Sequence, residues 1–245
     1  MYNDIINKCV DSFLGVPMWP SIFGFLGYYN INKEFELSHI PKLAMNYTAF
    51  THAFYASVMG LFGNMNLFRI NSGGYFLFDI YYLLKNRKLD ALRIMYIYHH
   101  IASLYYMSLN PLRYNWLRVL SLAEFCNLPN YIVYHYMKKR EEFATLNNVE
   151  SATVDVAKYI NIKPYDNRIR FWKKIQLVTY GVFRLGFSSY FLYKEITTDG
   201  KVDNERVKDL WPVIPIYFMG LLWSGAMFKD MYSWYLYNYY SRLKK

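Results

Sequence analysis

ALRIMYIYHHIASLYYMSL, residues 91–109, is an apolar run with two adjacent histidines, His99 and His100, at its centre. At 1.5 Å per residue it predicts a helix about 28 Å long, close to the ~30 Å hydrocarbon core of a bilayer, with residue 100 at its midpoint. An ionisable group at that depth costs several kcal/mol unless it is paired or faces a wet cavity. Neighbouring helical residues point about 100° apart, so the two rings serve different partners. Tyr96 lies one turn before both, and Ser103 follows His100 by three. Histidine accepts and returns protons near neutral pH and can be acylated as a nucleophile, so at least one of the pair is expected to do chemistry.

Five more runs of similar character flank this one, at roughly 43–63, 68–84, 117–137, 174–193 and 211–236. The stretch 10–30 is apolar but holds Pro17, Pro20 and three glycines; it is either a seventh span or a hairpin in the interface. These runs predict an all-α, polytopic membrane protein. The mean hydropathy of −0.02 is low for one, but 27 Tyr depress it, and amphipathic rings suit a lipid interface. Loops are expected to be short except 138–173, which is basic and polar, and 194–210, which is mixed. The chain divides into an N-terminal segment (1–42), a membrane domain (43–237) and a basic tail (238–245).

The net charge of +10 sits between the apolar runs, where it sets orientation rather than binding nucleic acid; no nucleic-acid module is visible. Lys85, Arg87, Lys88, Arg93, the cations of 138–173 and Arg242, Lys244 and Lys245 fall on one side, with residues 31–42. By the positive-inside rule that side, with the C-terminus, is cytosolic. Cys9 and Cys126 are too few for a disulfide framework, and Cys126 lies within a span. The start is not a cleavable signal, and the sequon at Asn46 falls within a span and is a chance match.

Each run carries at least one polar intruder: His52, Asp79, the histidine pair, Glu124, Arg184, and Lys229 with Asp230. The plainer reading of each is structural. His52 alone is more often an interhelical hydrogen-bond partner; Asp79 is a natural counter-charge for Arg184; Glu124 meets Asn127 on one helix face; Lys229 can snorkel. Taken together they predict a shared polar chamber. No HxxxH or HxxHH spacing, P-loop or dinucleotide fingerprint is present, so no metal or resident cofactor is expected.

Six local patterns resemble the TLC domain, shared by TRAM, LAG1 and CLN8 proteins. Thr51-His52-Ala53, Ser72-Gly73-Gly74-Tyr75-Phe76 with Asp79, Tyr98-His99-His100-Ile101, Ala123-Glu124-Phe125-Cys126-Asn127 and Phe183-Arg184-Leu185 follow its motifs in order, and Trp223 with Lys229 fits a looser late pattern. The chain looks closest to small TLC-domain-containing proteins and more distantly to ceramide synthases. The resemblance implies a six-helix ring around a central cavity and residence in the endoplasmic reticulum or another endomembrane, with membrane lipids as partners and a homodimer as one arrangement. It also implies acyl transfer from acyl-CoA as co-substrate, with His99 or His100 as base or acyl carrier. His52, Tyr75, Asp79, Tyr96, Glu124, Asn127, Arg184, Trp223 and Lys229 would then line the substrate cavity, Arg184 or Lys229 holding an anionic head group. The paired aspartates that follow the histidines in ceramide synthases are missing. The alternative implied by the non-enzymatic branch is a lipid-binding regulator of phospholipid composition.

Overall fold

The structure, a computed structural model, describes residues 18, 19, 21–23, 26, 40–86, 90–108, 114–146 and 156–243. Among these the chain is all-α apart from one small hairpin. The long helices are α1 (Ile40–Leu61), α2 (Met65–Asn86), α3 (Ala91–Ser108), α4 (Tyr114–Leu146) and α5 (Val156–Thr179). A π-helical segment (Tyr180–Phe187) joins α5 to α6 (Ser188–Ile196). Strands β1 (Thr197–Thr198) and β2 (Lys201–Val202), α7 (Asn204–Leu210) and α8 (Val213–Leu243) complete the order.

Local chemistry accounts for the breaks. Gly63 takes φ 73° just past α1, the left-handed conformation that glycine accepts without strain. Asn64 Oδ1 then accepts from the backbone N–H of Leu67 to start α2, and Asp90 Oδ1 accepts from that of Arg93 to start α3. Asp199-Gly200, both at positive φ, make the two-residue turn between β1 and β2. Asp203 caps α7 by accepting from the backbone of Glu205 and Arg206.

Side-chain contacts fix the helix order as a closed ring. Asn46 Nδ2 donates to Tyr131 O and Ser121 Oγ to Ala56 O, so α1 and α4 run antiparallel. They approach closely at Gly60, where a side chain would collide with Ser121. Gln176 Nε2 donates to Asn130 Oδ1, and Arg140 pairs with Asp166 at 2.9 Å, which sets α5 antiparallel to α4. Ser189 meets Tyr217 at 2.5 Å, Tyr96 packs on Trp223 at 5.6 Å, and His100 pairs with Asp79. The ring therefore runs α1–α2–α3–α8–α5/π–α4 and back to α1.

The segment 138–173, expected as a loop, is largely helical. Lys, Arg and Glu are strong helix formers, so α4 continues past its apolar run to Leu146, and α5 begins at Val156, well before its own. Likewise 194–210 holds the hairpin and α7, and most of the tail 238–245 continues α8. The stretch 10–30 lies mostly outside the described residues, as does Cys9. Within it Trp19 is fully buried, donates Nε1–H to Asn71 O and packs edge-on against His52 and Tyr75. Among the described residues no single helix is long and apolar enough to cross a membrane. Asn204–Leu210 and Pro215–Ser233 meet that standard together, bent by 64°.

Candidate functional site

A cavity of about 530 Å³ occupies the middle of the ring. Its wall comes from the Lys42–Ala49 part of α1, Tyr75–Leu83 of α2, Tyr96–His100 of α3, Glu124–Tyr134 of α4, Gln176 of α5, Tyr180 and Arg184 of the π segment and Trp223–Met227 of α8. Lys42 is exposed and lies on the wall near the start of α1, so the cavity opens at that end. The antiparallel order puts the end of α2, the start of α3, the end of α4 and the start of α5 there too. Lys85, Arg93, Lys138, Lys139, Arg140, Arg168, Arg170, Lys173 and Lys174 belong to the helix segments at that end; Asp90, Glu141 and Asp166 pair with three of them, and cations remain in excess.

The two histidines have different surroundings. His100 Nε2 lies 2.6 Å from Asp79 Oδ2, with side chains 8% and 14% exposed. Phe76 stacks on the His100 ring at 4.7 Å, and Nδ1 is sealed with no hydrogen-bond partner. Both nitrogens of His100 are thus out of reach. No hydrogen bond ties the His99 ring to a described residue. It borders the cavity and also a second, apolar pocket of about 30 Å³ among Trp116, Leu120, Leu192 and Ile216. Ser103 does not contact His100; its hydroxyl donates to the backbone carbonyl of His99.

Tyr75, Asp79, Tyr96, Glu124, Asn127, Arg184 and Trp223 stand on the cavity wall with the histidine pair. Asn127 links the two charges on the floor: its Nδ2 donates to Glu124 Oε2 at 3.4 Å, and its Oδ1 accepts from Arg184 Nη1 at 3.4 Å. Asp79 was expected to answer Arg184 and does not, because His100 holds it.

Two expected wall residues are elsewhere. His52 is fully buried one turn beyond the cavity. Tyr75 stacks on it at 3.9 Å and shuts it off, Ser72 Oγ contacts its Nε2 at 3.1 Å, and its Nδ1 lies 3.7 Å from Glu124. Lys229 is exposed and off the wall, because the inward stripe of α8 runs Trp223, Ala226, Met227 and position 229 falls outside it. The wall also contains Lys42, Asn46, Asn130, Tyr131, Tyr134, Gln176 and Tyr180, which a search for ionisable intruders passes over. The signal available was four amide side chains, Asn46, Asn127, Asn130 and Gln176, inside apolar runs. Among the described residues no group of three or more His, Cys, Asp or Glu converges to hold a metal ion.

Nothing matches this chain among protein-family models, curated proteins or solved structures. The wall offers a histidine with no fixed partner, a histidine–aspartate pair, a carboxylate, a guanidinium and a layer of amides and phenols. That set can move protons, hold an oxyanion and carry an acyl group.

Proposed function

We propose that this chain is an integral membrane protein of lipid metabolism, an acyl-CoA-dependent lipid acyltransferase of the TLC type in which His99 carries the acyl group. The observation that carries the reading is the division of labour in the histidine pair. His100 is spent on Asp79 and buried, whereas His99 lies on the cavity wall with no hydrogen bond from its ring to a described residue.

The chemistry runs in two balanced steps. A ring nitrogen of His99 attacks the thioester carbonyl of acyl-CoA; the C–S bond breaks, and CoA leaves as the thiol with the proton released from the imidazole. An amine or hydroxyl of a lipid acceptor then attacks the acyl-imidazole; the C–N bond breaks, and the acceptor's proton returns to the ring. The position of His99 inside the helical ring limits the bulk water that reaches the acyl-imidazole and so slows its hydrolysis. The positive mouth draws in the phosphates of CoA.

The membrane part of the reading is supported by an inverted distribution of polarity. Phe54, Tyr55, Ile94, Ile101, Val182, Phe218, Leu222 and Phe228 are exposed on the outside of the ring, while His52, Asn71, His100, Glu124 and Arg184 are buried within. A soluble chain rarely exposes so much apolar surface. Polar groups and tyrosines on the cavity wall lower the hydropathy of the helices that carry them, while large apolar side chains are exposed on the outer faces as well as buried between helices. The endomembrane location and cytosolic C-terminus belong to the same reading.

The test is acyl-CoA added to the purified chain, followed by intact-mass measurement and assay of free CoA. An acyl adduct with CoA release, lost in His99→Ala, supports the reading. No adduct, no CoA release and no acylated lipid from a broad acceptor panel sinks it. The second reading, a non-catalytic lipid-binding regulator of phospholipid composition, is favoured by the amides and phenols that make up most of the polar wall. It requires co-purified lipid in a chain that releases no CoA.

A further inference from the structure

Among the described residues Arg184 is the one buried Lys or Arg on the cavity wall, and its surroundings are unusual. It is 7% exposed, and among the described residues no carboxylate lies within hydrogen-bonding or ion-pair reach of it. Nη1 makes two long bonds, 3.4 Å to Asn127 Oδ1 and 3.4 Å to Tyr180 Oη. Both acceptors are neutral, and they already share a shorter bond of their own at 2.9 Å. Nε and Nη2, the edge that grips an oxyanion with two parallel bonds, make no hydrogen bond to a described residue, and the side chain lies on the cavity wall. A buried guanidinium that makes no direct ion pair is expensive, and the Glu124 carboxylate acts on this one across Asn127 without touching it.

Three features of the chain maintain that state. The π segment carries Arg184 and Tyr180 to the same face, and Ser188 closes it by bonding Phe183 O five residues back. Segments of this kind cost helix stability and concentrate at functional positions. Gly220 on α8 leaves room for the side chain to pass: a Cβ there would stand 3.0 Å from Arg184 Nε. Tyr180 and Trp223 lie 5.1 and 5.7 Å from the guanidinium and hold its plane. The neighbouring charges complete the count. Asp79 is taken by His100, Glu124 is held off by Asn127, and Lys42 stands at the mouth.

We infer that Arg184 is the seat for a singly charged oxyanion, a carboxylate or a phosphodiester, at the head of an amphiphile occupying the cavity. The inference rests on the reading of the cavity as a lipid chamber and names the class of head group it takes. One guanidinium edge matches one such group; a second anionic charge would face Glu124 and Asp79.

The experiment uses the full chain in an uncharged detergent. Decanoate, dihexanoyl phosphatidylglycerol, coenzyme A and neutral monodecanoylglycerol are titrated against melting temperature, which rises in proportion to binding by the folded state. Decanoate or the phosphatidylglycerol should stabilise the protein saturably, and Arg184→Gln should weaken that binding about tenfold or more, as loss of a charge-assisted bond requires. Arg184→Lys, which keeps the charge and loses the fork, should fall between. Should Arg184→Gln fail to fold, Gly220→Ala, which crowds Nε, decides by the same loss. Unchanged affinity in the variant that folds, stabilisation by the neutral lipid alone, or Arg184-dependent binding confined to coenzyme A overturns the inference. The acyl adduct is measured on the same samples. An adduct with Arg184-independent binding removes the seat alone; Arg184-dependent binding with neither adduct nor CoA release removes acyl transfer alone.

Discussion

Replacing Asp79 by alanine removes the acceptor that fixes His100. The 2.6 Å contact between side chains 8% and 14% exposed sets the size of the effect. A full charge pair at that distance in an effective dielectric of 20 has a Coulomb energy of about 6 kcal/mol, which is a ceiling because desolvation offsets much of it. A hydrogen bond to a charged group nets about 1.5–3 kcal/mol, and an orphaned partner adds to the loss. Asp79→Ala should therefore cost about 2–4 kcal/mol. For a chain of this size each kcal/mol moves the melting temperature by about 2–4 °C, so the drop should be about 5–15 °C. Asp79→Asn keeps a neutral acceptor and should cost about half as much. The assay is thermal unfolding in detergent for the single variants, His100→Ala and the double variant. The coupling should be about 1.5–3 kcal/mol, since residues in direct contact are not additive. A loss below about 0.5 kcal/mol for Asp79→Ala, or strict additivity, would refute the pairing.

Three further outcomes follow from the packing. Gly60→Ala should destabilise by about 1–3 kcal/mol because its methyl group overlaps Ser121, and Ser121→Gly in the same chain should restore most of it; an unchanged melting temperature in the single variant contradicts the α1–α4 contact. Trp19→Ala should cost about 3–5 kcal/mol, since a fully buried indole and its bond to Asn71 are lost, and proteolysis of the N-terminal segment should become faster. Lys229→Ala should leave the oxyanion affinity within about twofold of the parent, as expected for a surface position clear of the cavity wall; a larger loss returns Lys229 to the cavity.

Much of the cavity could be found from sequence because polar residues inside apolar runs have few other places to go. Asp79, the histidine pair, Glu124, Asn127 and Arg184 are such residues, and the structure collects them on one wall. His52 obeys the same rule and the same helical stripe, Lys42–Met45–Ala49–His52, yet the cavity ends before it. The side chains that close it off, Tyr75 and Trp19, come from other parts of the chain, and no periodicity within α1 records them. Lys229 is the opposite case: as a polar residue in an apolar run, and by the family resemblance, it belongs with the chamber, yet counting from Trp223 turns it outward. Charge alone points Asp79 to Arg184, and only the packing of α2 against α3 gives it to His100. The π segment left no mark beyond two glycines, Gly181 and Gly186, within the run. Helix ends were misjudged where charge replaced apolar residues, because leaving an apolar environment does not end a helix rich in Lys, Arg and Glu.

The central claim is that His99, and not His100, takes an acyl group inside the cavity. The most direct measurement is peptide mapping by mass spectrometry of the full chain quenched after brief exposure to acyl-CoA. The account predicts an adduct on the peptide holding residues 94–107, assigned by fragmentation to His99. It should be absent in His99→Ala and retained, at lower yield, in Asp79→Asn. Modification of His100 with His99 untouched, or no adduct together with no release of CoA, would contradict it.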